Sequence, residues 1–358
     1  MPKSPVLPLK FRVLGFFLLF FSLQFLSSCQ LGSNEPQPTR QTFYVFGTVV
    51  NIELYAQNPQ QAEQAIHQVE QRFQQFNREW HAWEKGGMIT RINQAIAQQQ
   101  SISIPANVKA FILKSQQLSQ RSQGYFDPGI GELIALWGFH ADEWQGPPPS
   151  KAVIEAYLQS PPSIADLYFQ GNTLHSRSRK VALDFGGNAK GLALDIAMET
   201  LQKAGIANAV VNIGGDMRVL GQKPNGEPWR IGIQSPQNPQ AAPIGYIELQ
   251  GDESIVTSGT YQRYYQWQGH RYSHLLNPKT GYPIDHEGNH FISVTVIHPD
   301  ATTADAAATA LIVAGPKHWQ KVAKQMGITQ ALLIDDEGHC QMTTQMARRF
   351  HARSLCRS

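Results

Sequence analysis

Apolar side chains recur along this chain with two different spacings, and each predicts a kind of element. From Gln60 to Trp80 the positions Ala62, Ala65, Ile66, Val69, Phe73 and Phe76 return every third or fourth residue, which predicts one buried helical face. A second helix is predicted over Asn107 to Ser122, stopped by Gly124, and others over Ala189 to Ala204 and Thr303 to Ala314. Runs of β-branched and aromatic residues predict strands at Thr42–Tyr55, Val181–Phe185, Ala209–Ile213, Trp229–Gln234, Ile244–Leu249 and Ile292–Ile297. Gly146-Pro147-Pro148-Pro149 is a break, followed by a short helix that ends at Pro161-Pro162. Strands come in runs with few alternating helices. The expected class is therefore α+β, with mixed or antiparallel sheets flanked by helices, rather than a doubly wound parallel sheet. No fixed-period repeat appears, and nothing within residues 41–350 reads as a linker between domains.

The first residues follow a different rule. Lys3, Lys10 and Arg12 precede an apolar run, Val13 to Leu26, that is short for a membrane span and suits a signal segment. It ends in Leu26-Ser27-Ser28-Cys29, which resembles the lipobox of bacterial lipoproteins. That resemblance implies removal of residues 1–28 and lipidation of Cys29. A plain signal peptide with a chance cysteine is the rival reading. Residues 29–40, polar and Pro-containing, then form a tether to a domain at 41–350. Such a protein is anchored facing the periplasm or extracytoplasmic space, at the inner or the outer membrane.

Composition narrows the picture only a little. Hydrophobic residues make up 42% of 358 and charged residues 16%, so the chain can build a core and is not disordered overall. The formal charge is +3, and loss of Lys3, Lys10 and Arg12 brings it to zero, which leaves no electrostatic case for nucleic acid. Cys340 and Cys356 are free to pair in an oxidising compartment, but their spacing does not require it.

Four stretches carry candidate chemistry. Asp184-Phe185-Gly186-Gly187-Asn188-Ala189-Lys190-Gly191 follows a strand and opens a helix. Paired glycines and a helix N-terminus suit a phosphate, and Lys190 adds charge, although neither P-loop nor dinucleotide spacing is present. A purely structural turn explains it equally well. Asn212-Ile213-Gly214-Gly215-Asp216 reads on its own as a tight turn between strands. From Thr257 to Gly281, hydroxyls, an Asn-Pro turn and His274 converge on an expected hairpin. His274 suits a general base titrating near neutral pH, against the plainer reading of a structural histidine. Finally, Asp305 and Thr309 share one helical face, and carboxylate beside hydroxyl suits a hard cation such as Mg²⁺. The alternative is that Thr302 caps this helix and Asp305 completes a capping box, which leaves Thr309 without a task.

Taken together these stretches resemble the ApbE family of FAD:protein FMN transferases. The matching features are Phe46-Gly47-Thr48, Phe126-Asp127-Pro128 with Leu136-Trp137-Gly138-Phe139, the Asp184 to Gly191 turn, Gly214-Gly215-Asp216, the Ser258 to Gly281 block, and Ala304-Asp305 with Thr309. They occur in family order over most of the chain after Cys29.

The resemblance implies a T-fold-related flavin transferase fold and a set of roles. Asp305, Thr309 and the carbonyl of Gly187 would ligate Mg²⁺ or Mn²⁺. Tyr125, Phe126, Asp127, Asp184, Lys190 and Leu276 would contact FAD, the substrate. Phe46 and Trp83 stand where family members often carry Met and Tyr against the flavin or adenine. The implied reaction moves FMN onto a Thr or Ser hydroxyl of an acceptor redox flavoprotein subunit, forming a phosphodiester and releasing AMP, with His274 the candidate base. Two rivals remain at this stage: a pyrophosphatase that cleaves FAD to FMN and AMP, and a non-catalytic flavin-binding lipoprotein.

Overall fold

The expected amphipathic helix is α1, Pro59–Trp80, and the six apolar residues named from its spacing are its six buried residues. Asn58 caps it, accepting the N–H of Gln61 at 2.9 Å. The structure, a computed structural model, describes residues 37–353 with the exception of 142, 145, 239 and 287. Cys29 and Cys356 lie outside the described residues, as do the signal segment and most of the tether. Cys340 is disulfide-bonded, and no other cysteine falls among the described residues.

One eight-stranded sheet organises the molecule. Its strands are β1 (Thr39–Val45), β2 (Thr48–Tyr55), β3 (Asn208–Ile213), β4 (Asp216–Leu220), β5 (Ser254–Gly259), β6 (Phe291–His298), β7 (Ala331–Asp335) and β8 (Cys340–Met342). Neighbours in space are neighbours in this order, and every pairing is antiparallel. The strand β1 starts at Thr39, so the last two residues of the expected tether lie in the sheet.

Alternation along the strands gives the sheet two apolar faces. Val50, Ile52, Leu54, Ala209, Val211 and Ile213 pack with α1 and with α3, Ala189–Lys203. Val256, Val294, Val296 and Leu333 pack with α4, Ala301–Met326. On the opposite face, Val219, Ile255, Ile297 and Leu332 meet Trp229, Ile247 and Leu249 of a three-stranded sheet. The helix α2, Ala106–Arg121, lies beside α4. The class is α+β, and no described helix is long and apolar enough to cross a membrane.

Two expected strands come out differently. Thr42–Tyr55 is not one strand but the β1–β2 hairpin, turned at Phe46 (φ 58°) and Gly47 (φ 68°). A two-residue turn at positive φ matches the twist of paired strands, but a bulky aromatic there is rare and gives no turn signal. Val181–Phe185 joins no sheet; Ala182 makes a single bridge to Ile130. The side chain of Asn93 replaces the missing neighbour strand, accepting Leu183 N–H at 2.7 Å and donating to Leu183 C=O at 2.9 Å. The helix expected over Thr303–Ala314 starts at Ala301. It is interrupted just past the expected end, where Gly315 (φ 64°, ψ −177°) precedes Pro316.

Candidate active site

The start of α4 bears on the capping-box reading of Asp305. Its N-cap is Asp300, whose carboxylate accepts Thr303 N–H at 2.7 Å and meets the Lys114 ammonium at 2.6 Å. The Thr302 hydroxyl donates to Asp195 at 2.6 Å instead of capping. The capping-box alternative for Asp305 therefore fails. The Asp305 carboxylate reaches across to α3 and accepts the N–H of Gly191 at 2.8 Å. Only glycine allows this approach, because a Cβ on Gly191 would lie 2.3 Å from the carbonyl oxygen of Ala301.

The turn before α3 supplies the facing groups. Asp184 accepts Gly186 N–H at 2.8 Å and the Trp83 indole N–H at 2.7 Å, which shapes the double-glycine turn. The Gly187 carbonyl then faces α4 and accepts the Thr309 hydroxyl at 3.4 Å, with Ser258 Oγ 3.5 Å from the same hydroxyl. The Lys190 ammonium pairs with Asp216 at the head of β4. Asp216 is 1% exposed, and its other oxygen accepts Thr257 N–H at 3.0 Å.

Asp184, Gly187, Lys190, Ser258, Asp305 and Thr309 border one cavity of about 390 Å³. Phe46, Tyr125, Phe126 and Leu276 contribute apolar wall, and Asp184, Lys190, Asp305 and Thr309 the polar part. His274 lies in the lining too. Its Nδ1 is 2.9 Å from the carbonyl oxygen of Arg263, which can only accept, so Nδ1 carries the proton and Nε2 keeps its lone pair.

Burial sets the charge states. The His274 ring presents some surface but is surrounded by heavy atoms. That desolvation outweighs the hydrogen bond to the Arg263 carbonyl, which favours the charged ring, and with the positive charges of Arg263 and Lys190 it brings the pKa down to about 4. The expectation of a histidine titrating near neutrality is thus corrected. Burial, then the nearby charge of Asp216, pushes Asp305 up to about 7 against the pull of Lys190 and the Gly191 N–H. Burial disfavours the Lys190 ammonium, yet Asp216 and Asp305 outweigh it and the pKa ends above the ordinary value.

Most of the residues singled out from sequence meet at this cavity, with two qualifications. Trp83 is not in its lining and acts on it through Asp184. Asp127 is in the lining, but its carboxylate is taken up by Ser163 Oγ at 2.5 Å, Gly129 N–H at 2.8 Å and Ile164 N–H at 2.9 Å. What it visibly does is pin a turn beneath the wall. Sequence reasoning gave no separate role to Asp216, whose partners Lys190 and Thr257 lie 26 and 41 residues away. Arg263 and Gln262, also in the lining, carried no signal at all.

The family model that matches is that of the ApbE family, over residues 46–333. The chain belongs to the ApbE family. The FAD:protein FMN transferase of Rhodobacter capsulatus is 38% identical over 312 residues, 87% of this chain and 58% of that protein. The FAD:protein FMN transferase of Vibrio cholerae is 30% identical over 332 residues, 92% of this chain and 96% of its own length. The chain thus spans under two thirds of the first relative and nearly all of the second. Among solved structures, the ApbE protein of Thermotoga maritima superposes with a TM-score of 0.79 at 29% identity, covering 87% of this chain and 99% of that one. The flavinyl transferase ApbE of Pseudomonas stutzeri, in its apo form, gives 0.77 at 28%, covering 89% and 98%.

In this ApbE member the donor set at Gly187, Asp305 and Thr309 fits a hard divalent cation. Carbonyl, carboxylate and hydroxyl are all oxygen donors, and Mg²⁺ is commonly held by one or two carboxylates with substrate phosphates completing the shell. The described residues contain no group of three or more His, Cys, Asp and Glu arranged to hold a metal. A cation here would accordingly depend on the hydroxyl, the backbone and the substrate.

Proposed function

We propose that this chain is a Mg²⁺-dependent FAD:protein FMN transferase that acts on a Thr or Ser hydroxyl of an acceptor redox flavoprotein. The observation that carries the reading is that one cavity is lined by Gly187, Asp305 and Thr309 with their oxygens, by Lys190 with its ammonium and by His274 with its unprotonated Nε2. The apolar wall of Phe46, Tyr125, Phe126 and Leu276 suits the rings of FAD, and the polar wall suits its pyrophosphate.

A divalent cation bound at the three oxygens would act as Lewis acid on the pyrophosphate. The chain's own groups do the rest. Lys190 offsets negative charge on the phosphate oxygens, and the walls hold FAD in line with the incoming hydroxyl. The hydroxyl oxygen attacks the FMN-side phosphorus while its proton passes to His274 Nε2. The bond to the AMP-side bridging oxygen breaks, and AMP departs. The acceptor gains FMN less one water.

Incubation with FAD, Mg²⁺ and a flavoprotein acceptor tests this by intact mass. An FMN adduct with released AMP supports transfer. FMN and AMP without an adduct point to the pyrophosphatase, and unchanged FAD to a binding protein.

The same reading places the catalytic domain at 41–350 outside the cytoplasmic membrane, tethered by lipid on Cys29 after loss of residues 1–28. The support is the Leu26-Ser27-Ser28-Cys29 sequence after a basic and apolar leader. Cys29→Ser should leave the membrane fraction or fail to mature, and labelling with radioactive fatty acid should depend on Cys29. An unlabelled wild-type protein would remove the anchor from the proposal.

A further inference from the structure

We propose that Asp195 is a positioning residue that sets the metal-donor oxygens in register by tying the first turn of α4 to α3 and to the central sheet. This rests on the reading of Gly187, Asp305 and Thr309 as donors to one divalent cation. Those donors come from two elements. Gly187 lies just before α3, whereas Asp305 and Thr309 ride on α4, so their mutual geometry depends on how the two helices are locked together.

Asp195 sits further along α3 and is the centre of that lock. One oxygen accepts the N–H of Ala301 at 3.0 Å; the other accepts Thr302 N–H at 3.1 Å and the Thr302 hydroxyl at 2.6 Å. The Arg218 guanidinium of β4 also pairs with Asp195, and it reaches Asp252 at 2.9 Å. A single carboxylate thus joins both helices and the sheet. Next to it, Gly191 touches the Ala301 backbone and gives its N–H to Asp305.

The bonds to Asp195 are not what makes α4 helical. That task falls to Asp300, which already caps the helix through Thr303 and is itself held by Lys114. What Asp195 adds is location. Ala301 and Thr302 lie within the turn before Asp305, so any shift of this turn moves Asp305 and Thr309 relative to Gly187. Asp195 does not line the cavity, and its effect is exerted through Thr302 and Ala301.

The test is a Mn²⁺ titration followed by the EPR signal of the free ion, with and without FAD and without acceptor. Wild type is compared with Asp195→Ala, Asp195→Asn and Thr302→Val. FAD affinity in chelator, read by flavin fluorescence, is the control. Asp195→Ala should weaken Mn²⁺ by at least about tenfold, the usual cost of losing a group that orients metal ligands. Thr302→Val and Asp195→Asn should fall between it and wild type. FAD affinity without metal should stay close to that of wild type. A purely structural role would lower the melting temperature and leave the affinity of the folded protein for Mn²⁺ alone. The inference is overturned if folded Asp195→Ala binds Mn²⁺ like wild type. Should that variant not fold, unaltered Mn²⁺ affinity in both Asp195→Asn and Thr302→Val overturns it equally. A wild-type protein that takes up no Mn²⁺ overturns the donor reading first, and this inference with it.

Discussion

The Lys190 ammonium lies against the Asp216 carboxylate, an ion pair that joins the first turn of α3 to the head of β4 at the cavity wall. The pair is lopsided in exposure, with the Lys190 side chain at 31% and that of Asp216 at 2%. Lys190 therefore keeps a face toward the cavity while its buried partner fixes where the charge sits.

Replacing Asp216 with Asn separates charge from shape. The amide oxygen can still accept Thr257 N–H, but Lys190 loses its anion. Breaking a buried pair from one side costs about 3–5 kcal/mol, and the partial exposure of Lys190 reduces this to roughly 2 kcal/mol. Urea denaturation of the FAD-free protein measures it. A loss under about 0.5 kcal/mol would mean that the pair is screened and does not anchor Lys190.

Gly191→Ala tests the contact between α3 and α4. The new methyl would stand 2.3 Å from Ala301 O and 2.8 Å from Thr302 Cα, both backbone atoms with little room to yield. Overpacking of this kind costs about 1–3 kcal/mol. It should also lengthen the bond from Gly191 N–H to Asp305. The expected outcome is a lower melting temperature together with a higher Mg²⁺ requirement for turnover. A variant as stable as wild type would show that the two helices can slide apart freely.

The Asp305→Ala variant should keep its fold and lose FMN transfer at every Mg²⁺ concentration. The lost hydrogen bond to Gly191 is worth about 1 kcal/mol, and relief from the nearby charge of Asp216 offsets part of that. Far-UV circular dichroism and a transfer assay over a Mg²⁺ series check both halves. Full activity would remove Asp305 from the reaction.

The helix α1 was legible because its six apolar residues follow one period and nothing in tertiary packing contradicts them. Glycine-marked turns at 184–191 and 214–215 were legible for the same local reason. Relations between distant residues were not. Trp83 and Asp184 meet across 101 positions, and Asp195 and Thr302 across 107. No local spacing encodes such pairs. The Phe46 turn was hidden because its backbone takes a conformation that its side chain disfavours. Asp305 was readable as a ligand or a cap, and only the placement of Asp300 at the N-cap removed the cap reading.

His274 offers the sharpest test of the mechanism, because its pKa of about 4 fixes the form of the pH profile. The reactive species is the neutral ring. It is fully populated from pH 5.5 to 9, so the single-turnover rate at saturating FAD and acceptor should be flat over that range as far as His274 is concerned. It should fall only as pH approaches 4. His274→Ala should therefore carry a deficit of constant size across the range. A base this weak has little driving force for proton uptake, which puts the expected loss near the low end of general-base effects, about 10². Stability gives a second, independent sign. The unfolded chain titrates near 6.5 and the folded one near 4, so stability held by neutral His274 is whole above about pH 6.5. It is lost as pH falls through the window down to about 4, where the unfolded state takes up a proton that the fold refuses. The stability gap between wild type and His274→Ala should accordingly be wider at pH 7.5 than at pH 5. A saturated rate within about threefold of wild type would remove His274 as the base. A deficit that grew steeply between pH 6 and 7 would instead show that the ring titrates near neutrality, and that the cavity is wetter around it than its packing indicates.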